Sequence, residues 1–202
     1  MRKVFMIKRV FLVVFTFFSF QVGTSEKHLS SKDFIKTILS EMVEADQLLR
    51  KKIDFSKLDD FLKHDIQNTD KENTETLKEI LTMYHWITIS DFGEEADHNA
   101  WLLLQHADHD VGFQKEILGR LEKLYPLHET SSQNFAYLYD RVAKNDKRPQ
   151  RYGTQGTIEN GTWVVDEIED VENLDLRREK MGMVSHQDYV HQVNRVYNLT
   201  KE

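Results

Sequence analysis

Cysteine is absent from the 202 residues, and proline occurs only twice, at Pro126 and Pro149. The first absence excludes disulfides, a thiolate nucleophile and lipid attachment through a cysteine after a bacterial export signal. The second, with few glycines before residue 150, leaves little to interrupt long helical patterns. Also missing are a serine-nucleophile motif, a phosphate-binding glycine loop and a dinucleotide fingerprint. Any chemistry is therefore expected to be hydrolytic or group transfer rather than redox, with no cofactor.

The chain opens with a different texture. Arg2, Lys3, Lys8 and Arg9 precede an apolar run of 11 residues, Val10 to Phe20, and small residues follow at Gly23 and Ser25. This pattern predicts a signal peptide over residues 1–25, cleaved after Ser25, and a mature domain over residues 26–202. The alternative is a retained anchor, but spanning a bilayer takes roughly 20 apolar residues. Removing the leader strips four of 27 basic residues and none of the 34 acidic ones, leaving 23 against 34 and a formal charge of −11. Such a surface disfavours nucleic acid and anionic lipid. A cysteine-free exported chain fits bacterial periplasmic or extracellular release, with no stable membrane anchor after cleavage. In that setting the sequons at Asn160 and Asn198 carry no meaning.

Apolar spacing predicts a mainly α (α+β) fold: a single helical domain with one small β-hairpin near residues 151–168. A first helix spans about 32–52, with Phe34, Ile38 and Met42 (or Ile35 and Leu39), Ala45 and Leu49 at three- and four-residue spacing. A weaker segment, "SKLDDFLKHDIQNTDKEN", is expected to give a helical turn or two and then a polar loop. A new helix is expected from a cap at Asn73 or Thr74 to about Tyr84. Further helices follow from about Glu94 to Ala107, over "DVGFQKEILGRLEKLYPL" up to Pro126, and from a cap at Ser131 or Ser132. Asn160-Gly161 marks the hairpin, and two helices, "DVENLDLRREKMG" and "SHQDYVHQVNRVYNL", close the chain.

Polar residues in apolar company mark the candidate site. "WLLLQHADHD" ends an apolar run with Gln105, His106, Asp108, His109 and Asp110. His106, His109 and Asp110 share a helical face and suggest a metal set. A helix end collects histidines without one, because cationic side chains suit its dipole, and no metal is expected. Asp140 and Arg141 emerge from the apolar helix "FAYLYDRV", so they are either paired or aimed into a cleft. "PQRYGTQG" offers Gln150, Tyr152, Gly153, Thr154 and Gln155, a loop suited to neutral polar groups or to an anion held by its amides.

These stretches together resemble the bacterial uncharacterised family catalogued as domain of unknown function 6624. The resemblance covers about residues 41–190 and runs in order through Glu41, Asp46, Gln47 and Arg50, Asp70 and Asn73, then Gln105, His106, Ala107, Asp108 and Gln114. It continues through Asp140-Arg141, the Gln150 to Gln155 loop, Arg177-Arg178 and Tyr189. The segment from Leu48 to Asp70 departs from the pattern by its charge and irregularity. The resemblance implies that His106 and Asp108 belong to the shared pattern while His109 is free to vary, and it implies no activity.

The expected site is one cleft shared by His106, Arg141 and Gln155. In it His106 is the general acid or base and Asp140 its carboxylate partner. Arg141 and Arg177 hold an anion, and Gln155 with the Gly153 amides stabilises developing negative charge. Gln105, Asp108, Gln150, Tyr152 and Thr154 complete the ligand-binding set. Two functions fit: an exported domain that binds a small polar or anionic ligand, as a hydrolase or transferase if catalytic, or a non-catalytic interaction module whose polar residues form a structural network.

Overall fold

The computed structural model describes residues 30–53, 59–159 and 161–197. All elements below lie in the unit Ser31–Glu202. The expected leader, residues 1–25, and both sequon asparagines, Asn160 and Asn198, lie outside the described residues.

Helix α1, Ser31–Arg50, turns Ile35, Ile38, Leu39 and Met42 inward, and the next inward position, one turn past Met42, is Asp46. Ala45, expected on that stripe, is exposed. Helix α2 runs unbroken over Asp60–Met83, so the expected polar loop and the cap at Asn73 or Thr74 are corrected. The cap is Asp59, whose side chain accepts from the Phe61 amide at 3.1 Å. No residue of α2 before Asn73 is buried. With one flank in solvent the segment carries no apolar period, yet it lacks the glycine or proline that would stop a helix.

A short α3, Ile89–Phe92, leads into α4, Glu94–Gln105, which ends two residues earlier than its pattern suggests. Helix α5 is Val111–Leu124, followed by a 3-10 turn at Tyr125–Leu127 around Pro126. Helix α6, Ser132–Asn145, starts from the Ser131 cap. Strands β1, Gly156–Glu159, and β2, Thr162–Val165, pair antiparallel from Gly156↔Val165 to Glu159↔Thr162. Gly161 takes φ +73°, the left-handed conformation that a two-residue hairpin turn requires. A 3-10 turn at Val171–Asn173 precedes α7, Leu174–Lys180, and α8 is His186–Val196. The architecture is mainly α with one two-stranded hairpin.

Helix α1 packs on α2 and α4, α4 reaches across to α6, and α5 lies on α6. Leu39, Met42, Leu77, Ile80, Leu103, Leu104, Ile117, Leu121 and Leu138 are all at most 1% exposed. Burying each such side chain stabilises by about 2 kcal/mol. The C-terminal end of α4 is thus pinned between α1 and α2 on one side and α6 on the other. Among the described residues no helix is long and apolar enough to cross a membrane.

Candidate functional site

The apolar run of α4 ends in polar residues because the helix itself ends there. Gln105 is its last residue and His106 its C-cap, at φ −91° and ψ 1°. Asp110 then caps α5, accepting from the Phe113 amide at 3.0 Å, and its other oxygen meets Lys78 at 2.8 Å. His109 is exposed. Asp110 is thus spent on the cap and on Lys78, which leaves the His106, His109 and Asp110 set unassembled.

Gln105 and His106, successive residues, face different neighbours. Toward α6, Gln105 Oε1 accepts from Arg141 Nε at 3.3 Å, and Arg141 Nη1 reaches Asp108 Oδ2 at 3.4 Å. Asp108 Oδ1 also accepts from Asn145 Nδ2 at 3.0 Å and from Gln114 Nε2 at 3.3 Å. Gln114 in turn donates to the Leu104 carbonyl at 3.1 Å.

Toward α1 and α2, the carboxylate beside His106 is Asp46 rather than Asp140. His106 Nδ1 lies 3.1 Å from Asp46 Oδ2. The pair is an ion-pair contact, and by strict geometry Nδ1 has no hydrogen-bond partner among the described residues. Asp46 is 2% exposed and accepts from Arg50 Nε at 3.0 Å and from Gln47 Nε2 at 2.8 Å. Arg50 Nη2 donates to Asp70 Oδ1, tying α1 to α2. Burial pushes the Asp46 carboxyl up, but His106 and the Arg50 guanidinium outweigh it and hold Asp46 below its ordinary value. At Asp70 burial wins over the Arg50 charge, and that carboxyl stays raised.

Asp140 does different work. It is fully buried, and its Oδ1 accepts from the amides of Arg151 at 2.7 Å and Tyr152 at 3.0 Å. Its Oδ2 accepts from the Thr154 amide and hydroxyl, each at 2.9 Å. The "RYGT" loop wraps this carboxylate as a nest of amides wraps an anion. Gln150 closes the loop from behind, donating to the carbonyls of Gln155 at 2.8 Å and Asp166 at 2.9 Å and accepting from the Gln155 amide at 2.8 Å. Gln155 turns its own amide onto Thr154 Oγ1 at 3.1 Å, rather than toward His106 or Arg141 as a hydrogen-bond partner. The buried Tyr152 hydroxyl is pushed up to about 12 by burial. Gly153 has φ +68°, and a Cβ there would stand 2.7 Å from His186 Cδ2. Arg177 donates to the carbonyls of Arg151, Asp170 and Glu169 and is spent on the backbone. Arg178, fully buried, donates to the Val184 carbonyl at 2.8 Å and to Tyr152 O, and lies 4.9 Å over the Tyr189 ring.

The cleft expected from sequence is therefore two networks. One gathers at the end of α4, where Gln105, Asp108 and Arg141 join toward α6 while His106 stands beside Asp46 toward α1. Asp140, Gln150, Tyr152, Gly153, Thr154, Gln155 and Arg177 make a closed loop. Sequence reasoning left Asp46, Asp70 and Asn73 out of the site, although a carboxylate continuing the apolar stripe of α1 is a readable signal. A cavity of about 1140 Å³, lined by Asp97, His98, Trp101, Asn134, Tyr137 and Lys180 among others, shares no residue with either network. Its buried carboxylate, Asp97, is already saturated by Trp86, Thr130, Ser131 and Asn134.

A family model described as "Family of unknown function (DUF6624)" matches residues 33–202, and the chain belongs to that family. Neither a curated protein nor a solved structure matches the chain.

Proposed function

We propose that this chain is an exported, periplasmic or extracellular protein that binds a small polar or anionic ligand at the cluster around His106, acting as a hydrolase or transferase if it is catalytic. The observation that carries this reading is incomplete pairing. Seven buried side-chain atoms lack a hydrogen-bond partner among the described residues: Asn73 Nδ2, Gln105 Nε2 and His106 Nδ1 belong to α2 and the end of α4, Trp101 Nε1 to α4, and Asp166 Oδ2, Arg178 Nη2 and His186 Nε2 lie around the Asp140 loop. A buried polar atom left unpaired costs about 1 to 3 kcal/mol, and at the end of α4 such atoms stand beside an imidazole and a buried carboxylate that a ligand could engage. Arg141 keeps donors on a half-buried fork, suited to a carboxylate or phosphate. The imidazole is the group chemically suited to moving a proton.

The test is a thermal-shift screen of small carboxylates, phosphates and amides, run once in EDTA and once with divalent cations. A stabilising compound is expected, and its effect should vanish in His106→Gln and weaken in Arg141→Lys. Stabilisation that persists in both variants sinks the reading. Export rests on the basic and apolar leader and the missing cysteine; protein recovered from an envelope fraction with Met1 still attached would contradict it.

The second reading, a non-catalytic interaction module, draws support from the Asp140 loop, where every carboxylate oxygen is paired. It predicts that no compound in the screen stabilises the protein.

A further inference from the structure

Asp46, Asp70 and His106 come from α1, α2 and the end of α4, and each offers one ligand atom to a shared space, all within 4.8 Å of one another. We infer that this trio binds a divalent cation of the first transition row, zinc more tightly than manganese. The inference deepens the ligand-binding reading above and rests on it, since the cluster is the same.

The donor set selects the ion. Calcium and magnesium prefer all-oxygen cages, whereas one imidazole with two carboxylates suits zinc, manganese or ferrous iron. Three protein ligands leave further positions for water or a polar ligand, as in open zinc sites. Bonds of about 2.1 Å put two ligand atoms about 3.4 Å apart at a tetrahedral angle. The His106 to Asp46 separation of 3.1 Å already has that scale. At that separation His106 Nδ1 and Asp46 Oδ2 stand side by side, close enough to face one ion. A ring nitrogen and a carboxylate oxygen that share a third partner stand in this relation.

A second, independent observation comes from Asn73. It is 8% exposed and follows Asp70 by three residues on α2, so both side chains stand on one helical face. Its amide nitrogen has no hydrogen-bond partner among the described residues. A buried donor beside a group of acceptors suits an oxygen held on a cation, whether water or ligand.

Arg50 already supplies one positive charge here, to both carboxylates. Two carboxylates against one guanidinium leave the cluster one charge negative, which repels an anionic ligand. A divalent cation reverses that sign, and Arg50 and Gln47 remain as the outer hydrogen bonds that orient ligating carboxylates. The cation thereby explains how an anionic ligand can be held beside two aspartates.

The experiment is equilibrium dialysis of the chelator-stripped protein against zinc and then manganese, with elemental analysis of what is retained. Wild type is expected to keep one zinc. Asp70→Asn and His106→Gln are expected to bind it at least about tenfold more weakly while still melting cooperatively, and His109→Ala to bind it as wild type does. The two ligand variants sit on different helices, so one remains informative if the other fails to fold. The inference is overturned if wild type keeps no zinc, or if both ligand variants keep it at full affinity. A compound that stabilises the protein in EDTA through His106, with no zinc retained, overturns the cation alone and leaves the ligand site standing.

Discussion

Asp140 and Asp46 are both carboxylates set on the inward face of a helix, 0% and 2% exposed. Around Asp140 the chain has built a closed shell, in which three backbone amides and a hydroxyl occupy both oxygens, and Gln150, Arg177 and Arg178 hold that loop in turn. Around Asp46 the shell is Gln47 and Arg50 of its own helix with His106 from the end of α4, and Asn73, Gln105 and His106 keep atoms without hydrogen-bond partners among the described residues. Composition does not separate the two, since each contains Asp, Arg and Gln. The kind of partner does. Buried atoms without a hydrogen-bond partner occur beside both, at Asp166, Arg178 and His186 near the loop and at Asn73, Gln105 and His106 near Asp46, but backbone amides fix Asp140 whereas side chains that can exchange partners surround Asp46.

The largest effect expected from this contrast is at Asp140. Asp140→Ala strips the acceptor from the amides of Arg151, Tyr152 and Thr154 at once. With about 1 to 3 kcal/mol for each buried donor left unpaired, and incomplete additivity, a loss of about 4 kcal/mol is expected by chemical denaturation. A loss below about 1 kcal/mol would mean that the loop does not depend on its carboxylate. Gly153→Ala should come next, at about 1 to 3 kcal/mol, because it combines a left-handed φ with a Cβ driven into His186. Its melting temperature should be partly restored by His186→Ala, which clears the contact but not the backbone strain. No restoration would assign the whole effect to φ.

Asn73→Ala probes the other side of the comparison. Removing a buried donor that has no partner should change stability by less than about 1 kcal/mol, in either direction, while weakening ligand and zinc binding. If stability instead falls as far as in Asp140→Ala, the His106 cluster is a structural network of the same kind, and the interaction-module reading replaces the ligand site.

Much of the fold was legible because it rests on local signals. The apolar spacing of α1, α4, α5 and α6, the Ser131 cap and the Asn160-Gly161 turn each act within a few residues. The first half of α2 was not, since a helix with no fully buried residue before Asn73 shows no clear apolar period and only the absence of breakers speaks for it. At the site, the right polar residues stood out, but their partnerships depended on which helices meet. Asp140 beside a glycine loop reads equally well as catalytic or as a nest. Asp46 was hidden by its ordinary look, an Asp four residues before an Arg, the pattern of a surface ion pair. Only the packing of α1 against α4 turns it inward to His106.

The smallest expected effect separates burial from hydrogen bonding at Asp140. Burial pushes this carboxyl up, and the bonds from Arg151, Thr154 and Tyr152 pull it down without cancelling the rise. A folded-state value above the unfolded 3.8 means that the native protein binds the proton more tightly than the unfolded chain does. Stability from this group is therefore fully present below pH 3.8 and is lost as pH rises through the higher folded value. Asp140→Asn cannot titrate, so the stability of wild type minus that of the variant should fall as pH climbs through that window and stay level above it. Paired denaturation curves from pH 3 to pH 7 measure the difference directly, with changes elsewhere in the chain cancelling between the two proteins. A difference that rises with pH would mean that the loop amides outweigh burial, making the nest a stronger anion holder than its depth allows.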